Sequence, residues 1–155
     1  MRSALTGRGR GVWAGSALLA VGGIISLVLA GGPGAAPSAP SSANGAVGSE
    51  QTVDAGDVEV TATLASLGPA GAVVELAFDT HTVDIDVDLA AAGALTVAGT
   101  SWPVSEWEGD PPGGHHRAGQ LAFDAAGPVD GSVKLAIGGL PAAVEFSWTV
   151  QSEAR

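Results

Sequence analysis

From about residue 54 the chain alternates apolar and polar residues in short runs, and that alternation leaves few folds open. Val58, Val60, Ala62 and Leu64 alternate with Glu59, Thr61 and Thr63, and Val74, Leu76 and Phe78 with Glu75, Ala77 and Asp79. Val83, Ile85, Val87 and Leu89 alternate with Asp84, Asp86 and Asp88. Shorter runs follow at Leu95 and Val97, then Leu121 and Phe123, then Val133, Leu135 and Ile137, then Val144, Phe146, Trp148 and Val150. Side chains on a strand point to opposite faces in turn, so period-2 alternation marks strands with one face buried and one in water. Such runs punctuated by Gly, Pro and Asp, without a helical period, predict an all-β, immunoglobulin-like antiparallel β-sandwich over 54–152. The Cys…Trp…Cys spacing of true immunoglobulin domains is absent, so the expectation concerns architecture alone.

The N-terminus has a different character. Residues 1–10 (MRSALTGRGR) are basic, and 11–30 (GVWAGSALLAVGGIISLVLA) carry no charge. That order is the n-region and h-region of an export signal. The expected product is extracytoplasmic in either of two forms. Cleavage after Ala30 follows from the small residues there, while a retained N-terminal hydrophobic helix of about 20 residues is long enough to span a bilayer. Residues 31–53 begin with GGPGAAPSAPSSANGAVGSE, which offers nothing to bury, and predict a flexible, disordered Gly/Ala/Pro/Ser linker.

Charge and cysteine usage exclude several classes of function. Residues 11–155 hold three basic against sixteen acidic residues, a net charge of −13. So negative a body repels nucleic acid and favours divalent cations or basic partners. With no cysteine in the chain, disulfides, thiolate metal sites, a thiol nucleophile and a lipid-linked Cys are excluded.

Two segments break the pattern. Buried positions are even-numbered through Phe78 and odd-numbered from Val83, so Asp79-Thr80-His81-Thr82 must hold a turn or bulge. Residues 100–119 (TSWPVSEWEGDPPGGHHRAG) show no clear alternation and predict a long loop packed on the body through Trp102 and Trp107. All three histidines, His81, His115 and His116, fall in these segments, with Asp79, Glu108 and Asp110 near them. Imidazole and carboxylate together form a ligand set for Zn²⁺ or Cu²⁺. The candidate metal ligands are therefore His81, His115, His116, Asp110 and Asp79, set against a plain polar loop tip and turn.

The remaining candidates are weaker. Asp84-x-Asp86-x-Asp88 has the opening spacing of a calcium loop, but Leu89 and Leu95 stand where that loop needs Gly and Glu; the solvated face of a strand explains it. Arg117 is expected in an ion pair with Asp110 or Glu108. Ser101 and Ser105 share the segment with His115 without a nucleophile turn, so hydrolase chemistry has little support. Trp148 falls at a core position, and Trp102 and Trp107 are expected to cover the sandwich edge.

FDTHTVDIDVDL (78–89) and SWPVSEWEGDPPGGHHRAG (101–119) together resemble a recurrent domain of exported or membrane-anchored prokaryotic proteins. Its members pair a Thr-His turn with a Trp-x-Gly-x-Pro-Pro-Gly-Gly-His-His-Arg-x-Gly loop, and the likeness covers roughly residues 57–150. The resemblance implies the domain type and the extracytoplasmic address, and carries no activity. The function expected on these grounds is a non-enzymatic extracytoplasmic binding module, with a divalent transition metal held by histidines. The alternative is a structural or protein-interaction domain without metal.

Overall fold

The computed structural model describes residues 41–151, within a compact unit of the chain, Ala35–Arg155. The signal or anchor expected over 1–30 lies outside the described residues. Among those residues no helix is long and apolar enough to cross a membrane. In chain order the strands are β1 (Ser41–Ala46), β2 (Glu50–Asp54), β3 (Val58–Gly68) and β4 (Gly71–Thr80), followed by a short helix, α1 (Leu89–Ala92). Then come β5 (Gly93–Val97), β6 (Thr100–Trp102), β7 (Val104–Gly109), β8 (His116–Phe123), β9 (Gly131–Ile137) and β10 (Val144–Val150). They form two five-stranded sheets, ordered β1-β10-β9-β5-β6 and β2-β3-β4-β8-β7. All pairings are antiparallel except that of β1 with β10. The chain is an immunoglobulin-like β-sandwich.

The core is the set of inward positions that the alternation marks. Val60, Leu64, Val74, Leu76 and Phe78 from one sheet meet Leu95, Leu135, Ile137, Phe146 and Trp148 from the other, all buried. Each such side chain contributes about 1.5–3 kcal/mol on burial. Phe146 and Trp148, two residues apart on one face of β10, stack with ring centroids 6.0 Å apart. Trp102 is also a core residue, 2 % exposed, rather than an edge cover.

Three expectations change. Residues 83–89 bury alternate side chains as anticipated, with Ile85 and Leu89 fully covered, but they form no strand. The segment has to carry the chain from β4 in one sheet to β5 in the other. Its backbone bonds therefore go to a loop, and it ends at Asp88, whose carboxylate caps α1 by accepting from the Ala90 and Ala91 amides. Alternation records which side chains are covered and is silent on whether a ladder covers them. Second, the long loop expected over 100–119 is mostly strand. β6 and β7 are separated by Pro103, where the chain changes sheet, and only 110–115 remain as loop. Pro103 has no N–H to leave unpaired at that corner, and its carbonyl accepts from the Asp124 amide.

Third, β1 and most of β2 fall within the expected 31–53 linker, so among the described residues the sheets already include 41–53. β2 buries Gln51 and Val53 in alternation. β1 (SSANGA) is paired through its backbone to β10, a form of order that leaves no trace in apolar patterning.

Ala98 and Gly99 join β5 to β6 with φ of 46° and 84°. For alanine the left-handed region costs about 1–2 kcal/mol, whereas asparagine enters it readily and Asn-Gly suits tight hairpins. Ala98→Asn is expected to stabilise the domain by about 0.5–1 kcal/mol, measured as a higher urea midpoint with an unchanged slope.

Candidate functional site

The two pattern-breaking segments meet. The amide of Thr80 donates to the His115 carbonyl at 2.9 Å, and that of Ile85 to the Gly114 carbonyl at 2.9 Å. The Gly113 amide returns a 2.9 Å bond to the Ile85 carbonyl. Gly113 and Gly114, at φ 109° and 79°, let the loop turn back to make these bonds.

Arg117 fastens the junction. Its place on β8 aims the side chain inward, and only 1 % of it is exposed. Nε donates to the Asp110 carbonyl at 2.9 Å and Nη1 to the Val87 carbonyl at 2.6 Å. The guanidinium carbon lies 5.2 Å from the centre of the Trp107 ring, a cation–π contact. The ion pair expected with Asp110 or Glu108 is thus replaced by bonds to backbone carbonyls. Burial pulls the Arg117 pKa down while the charges of Asp110 and Asp88 oppose it. Arginine keeps its charge under such pressure.

Trp107 is held with equal care. Its Nε1 donates to the same Asp110 carbonyl at 3.1 Å, and its ring crosses the register pair Gly109 and Gly119. A Cβ on either glycine would sit 2.8 or 2.7 Å from Trp107 Cζ2, so both positions must be bare. Asp110 closes the set: its amide donates to the Ala118 carbonyl, and its carboxylate accepts from the Ala118 amide, each at 2.9 Å. Trp107, Gly109, Asp110, Gly113, Gly114, Arg117 and Gly119 are each explained by the fold of the motif itself.

The five expected metal ligands do not converge. Asp110 is committed to Ala118. His116 Nδ1 lies 2.6 Å from Asp79 Oδ1, its register partner across β4 and β8. His115 Nε2 stands 3.7 Å from Asp84, with both side chains largely exposed. His81 is exposed on the 81–82 turn. Among the described residues, no group of three or more His, Asp or Glu side chains is placed to hold a metal ion. Asp84, Asp86 and Asp88 are all exposed, and Asp88 serves as the helix cap.

A grouping that sequence alone does not show lies beside His81. Asp54, Glu59, Asp79 and His116 are successive register partners across four strands, one row on the outer face of a sheet. Like charges directly opposite one another oppose folding, and His116 supplies a counter-charge at the end of the row. Next to this row is a concavity of about 360 Å³ lined by Asp54, Asp57, Glu59, Asp79, Thr80 and His81. Of the expected ligands only Asp79 and His81 border it. Asp54, Asp57 and Glu59 read as ordinary solvent-facing residues; their proximity to residue 79 comes from the ladder joining β2, β3 and β4.

Fold and site define a β-sandwich with an acidic, histidine-bordered hollow beside an arginine-fastened loop. No family model and no curated protein matches the chain. Among solved structures it is similar to MPT63, a secreted protein of Mycobacterium tuberculosis, at 20 % identity and a TM-score of 0.41, over 68 % of this chain and 95 % of that one. A likeness so loose carries no functional argument.

Two outcomes follow. Arg117→Ala takes the donor from the Val87 carbonyl and empties the buried space beside Trp107, and is expected to cost about 3–5 kcal/mol in urea unfolding, with Arg117→Lys intermediate. The Asp79 hydrogen bond and then its charge raise the His116 pKa above 6.5 against a smaller opposing desolvation, with the charge of Asp110 adding least. A raised histidine pKa stabilises the fold fully below the unfolded value, and the contribution fades as pH rises through the folded one. Proton NMR of His116 should give a midpoint above 6.5 that returns toward it in Asp79→Asn. The stability gap between the two proteins should shrink as pH rises from 6.5 and His116 deprotonates.

Proposed function

We propose that the chain is an exported, non-enzymatic binding module that takes a cationic ligand at the acidic hollow. Four carboxylates converging on one concavity, Asp54, Asp57, Glu59 and Asp79, carry this reading. They create a local negative potential that draws in cations and excludes anions. A net charge of −13 over residues 11–155 extends the same bias to the approaching ligand. The export address rests on the basic leader and apolar segment at 1–30. Retention in the membrane or release after Ala30 is decided by the mass of the mature protein.

No three candidate ligands stand together among the described residues, so the metal reading is put to a test at this hollow, which Asp79 and His81 both border. Calorimetric titration of residues 35–155 with Zn²⁺, Cu²⁺, Ca²⁺ and an arginine-rich peptide separates the ligands. Saturable binding that weakens about fivefold, or ~1 kcal/mol, in Glu59→Gln is the expected result. Heats equal to those of a variant lacking all four carboxylates would overturn the proposal. Zn²⁺ or Cu²⁺ binding that also needs His81 would identify the metal form.

The alternative, a structural or protein-interaction domain, draws on a different observation. Every position of the Trp107-to-Gly119 motif whose contacts are described above serves the fold of the loop. In that case the variant lacking four carboxylates keeps its partner while Arg117→Ala loses it together with stability.

A further inference from the structure

β1 differs from every other strand of the sandwich. Its sequence, Ser-Ser-Ala-Asn-Gly-Ala, holds no β-branched, aromatic or long aliphatic residue, the types that make strands adhere to a packed surface. It nevertheless covers the edge of β10, whose Val144, Phe146 and Trp148 are core residues. The register runs in parallel from Ser41 opposite Val144 to Ala46 opposite Thr149. The seam therefore rests on backbone pairing over six residues.

A three-residue turn ties β1 to the rest. Val47, Gly48 and Ser49 link it to β2 in the other sheet. Gly48 sits at φ 78°, and the turn is closed by the Ser49 amide and hydroxyl on the Ala46 carbonyl, the Gly48 amide on the Leu64 carbonyl and the Trp148 Nε1 on the Ser49 carbonyl. As the first strand, β1 can lift without carrying any other described strand with it. Lifting it bares the β10 edge beside an apolar groove lined by Val47, Leu67 and Val150, with Val47 already 42 % exposed. A bare strand edge recruits another strand.

We infer that β1 is an exchangeable strand and that the β10 edge is an interaction surface for β1 of a second copy of this chain. The occupant follows from self-complementarity. The edge already accepts this strand in this register, and a straightened 47–49 connection delivers it to a neighbour, giving a reciprocal two-fold dimer. The claim is independent of the acidic hollow, which lies on β2, β3 and β4.

Cysteines at register partners test it. Adjacent strands are about 4.8 Å apart, within disulfide reach. Ser42→Cys with Glu145→Cys in residues 35–155 is oxidised over a range of protein concentrations and resolved on non-reducing gels. Ser132→Cys with Thr149→Cys, across β9 and β10, serves as the reference. Exchange predicts covalent dimers in the first pair, increasing several-fold with concentration, and mixed dimers when two size-tagged forms are combined. The reference pair stays within one chain. Gly48→Ala strains the closed turn without a steric clash, since nothing lies within 4 Å of an added Cβ, and should raise the dimer share further. Crosslinks confined to single chains at every concentration, in both proteins, would refute the inference.

Discussion

A positive charge is carried by Arg117 into a place where almost none of its side chain meets water. Among the described residues no carboxylate is bonded to it there; carbonyls of Asp110 and Val87 and the face of Trp107 receive it instead. Desolvating an ion is costly unless its donors are used. The surrounding backbone is accordingly held where those donors point. One guanidinium thereby ties the crossover after β4, which belongs to no ladder, to the paired strands β7 and β8. The three loop–crossover hydrogen bonds, and the position of His115 and His116 on the surface, depend on that fastening.

The acidic hollow stands next to this junction and depends on it at one wall. Asp79 and Thr80 end β4 and His81 follows them, and the Thr80 amide is bonded to the His115 carbonyl. The opposite wall comes from Asp54, Asp57 and Glu59, brought there by the β2–β3 hairpin. The row from Asp54 through Glu59 and Asp79 to His116 is electrostatically unfavourable except at its histidine end. Sheets tolerate such a row when their hydrophobic face is well packed. Here Val60, Leu76 and Phe78 lie on the buried side.

Much of the fold was legible because alternation maps directly onto burial. Val60, Leu76, Phe78, Leu135 and Phe146 are buried as their spacing requires. Ile85 and Leu89 show the limit of that signal: their neighbours alternate as a strand would, yet their backbone bonds run to a loop. Trp107 shows another limit. The stretch from Val104 to Gly109 has mixed exposure because it is an edge strand, and it looked irregular for that reason. The three histidines fall in two segments that touch, yet they do not come together in one ligand group. Their chemistry was not legible, since a register of one residue on β8 decides that His116 faces Asp79 while Arg117 faces the core.

By itself the sequence determined the class of fold, the core residues and the acidic character of the body. Those properties depend on side-chain type and period along the chain, which are local. The tertiary structure alone decided that β1 and β2 belong to the sheets, that Arg117 is buried, and that Asp54, Glu59 and Asp79 stand in one row. Each of these depends on strand order and register, which are set by contacts between residues far apart in the chain. In β1 the bonds are made by backbone groups that every residue shares. Residue identity therefore carried no sign of them.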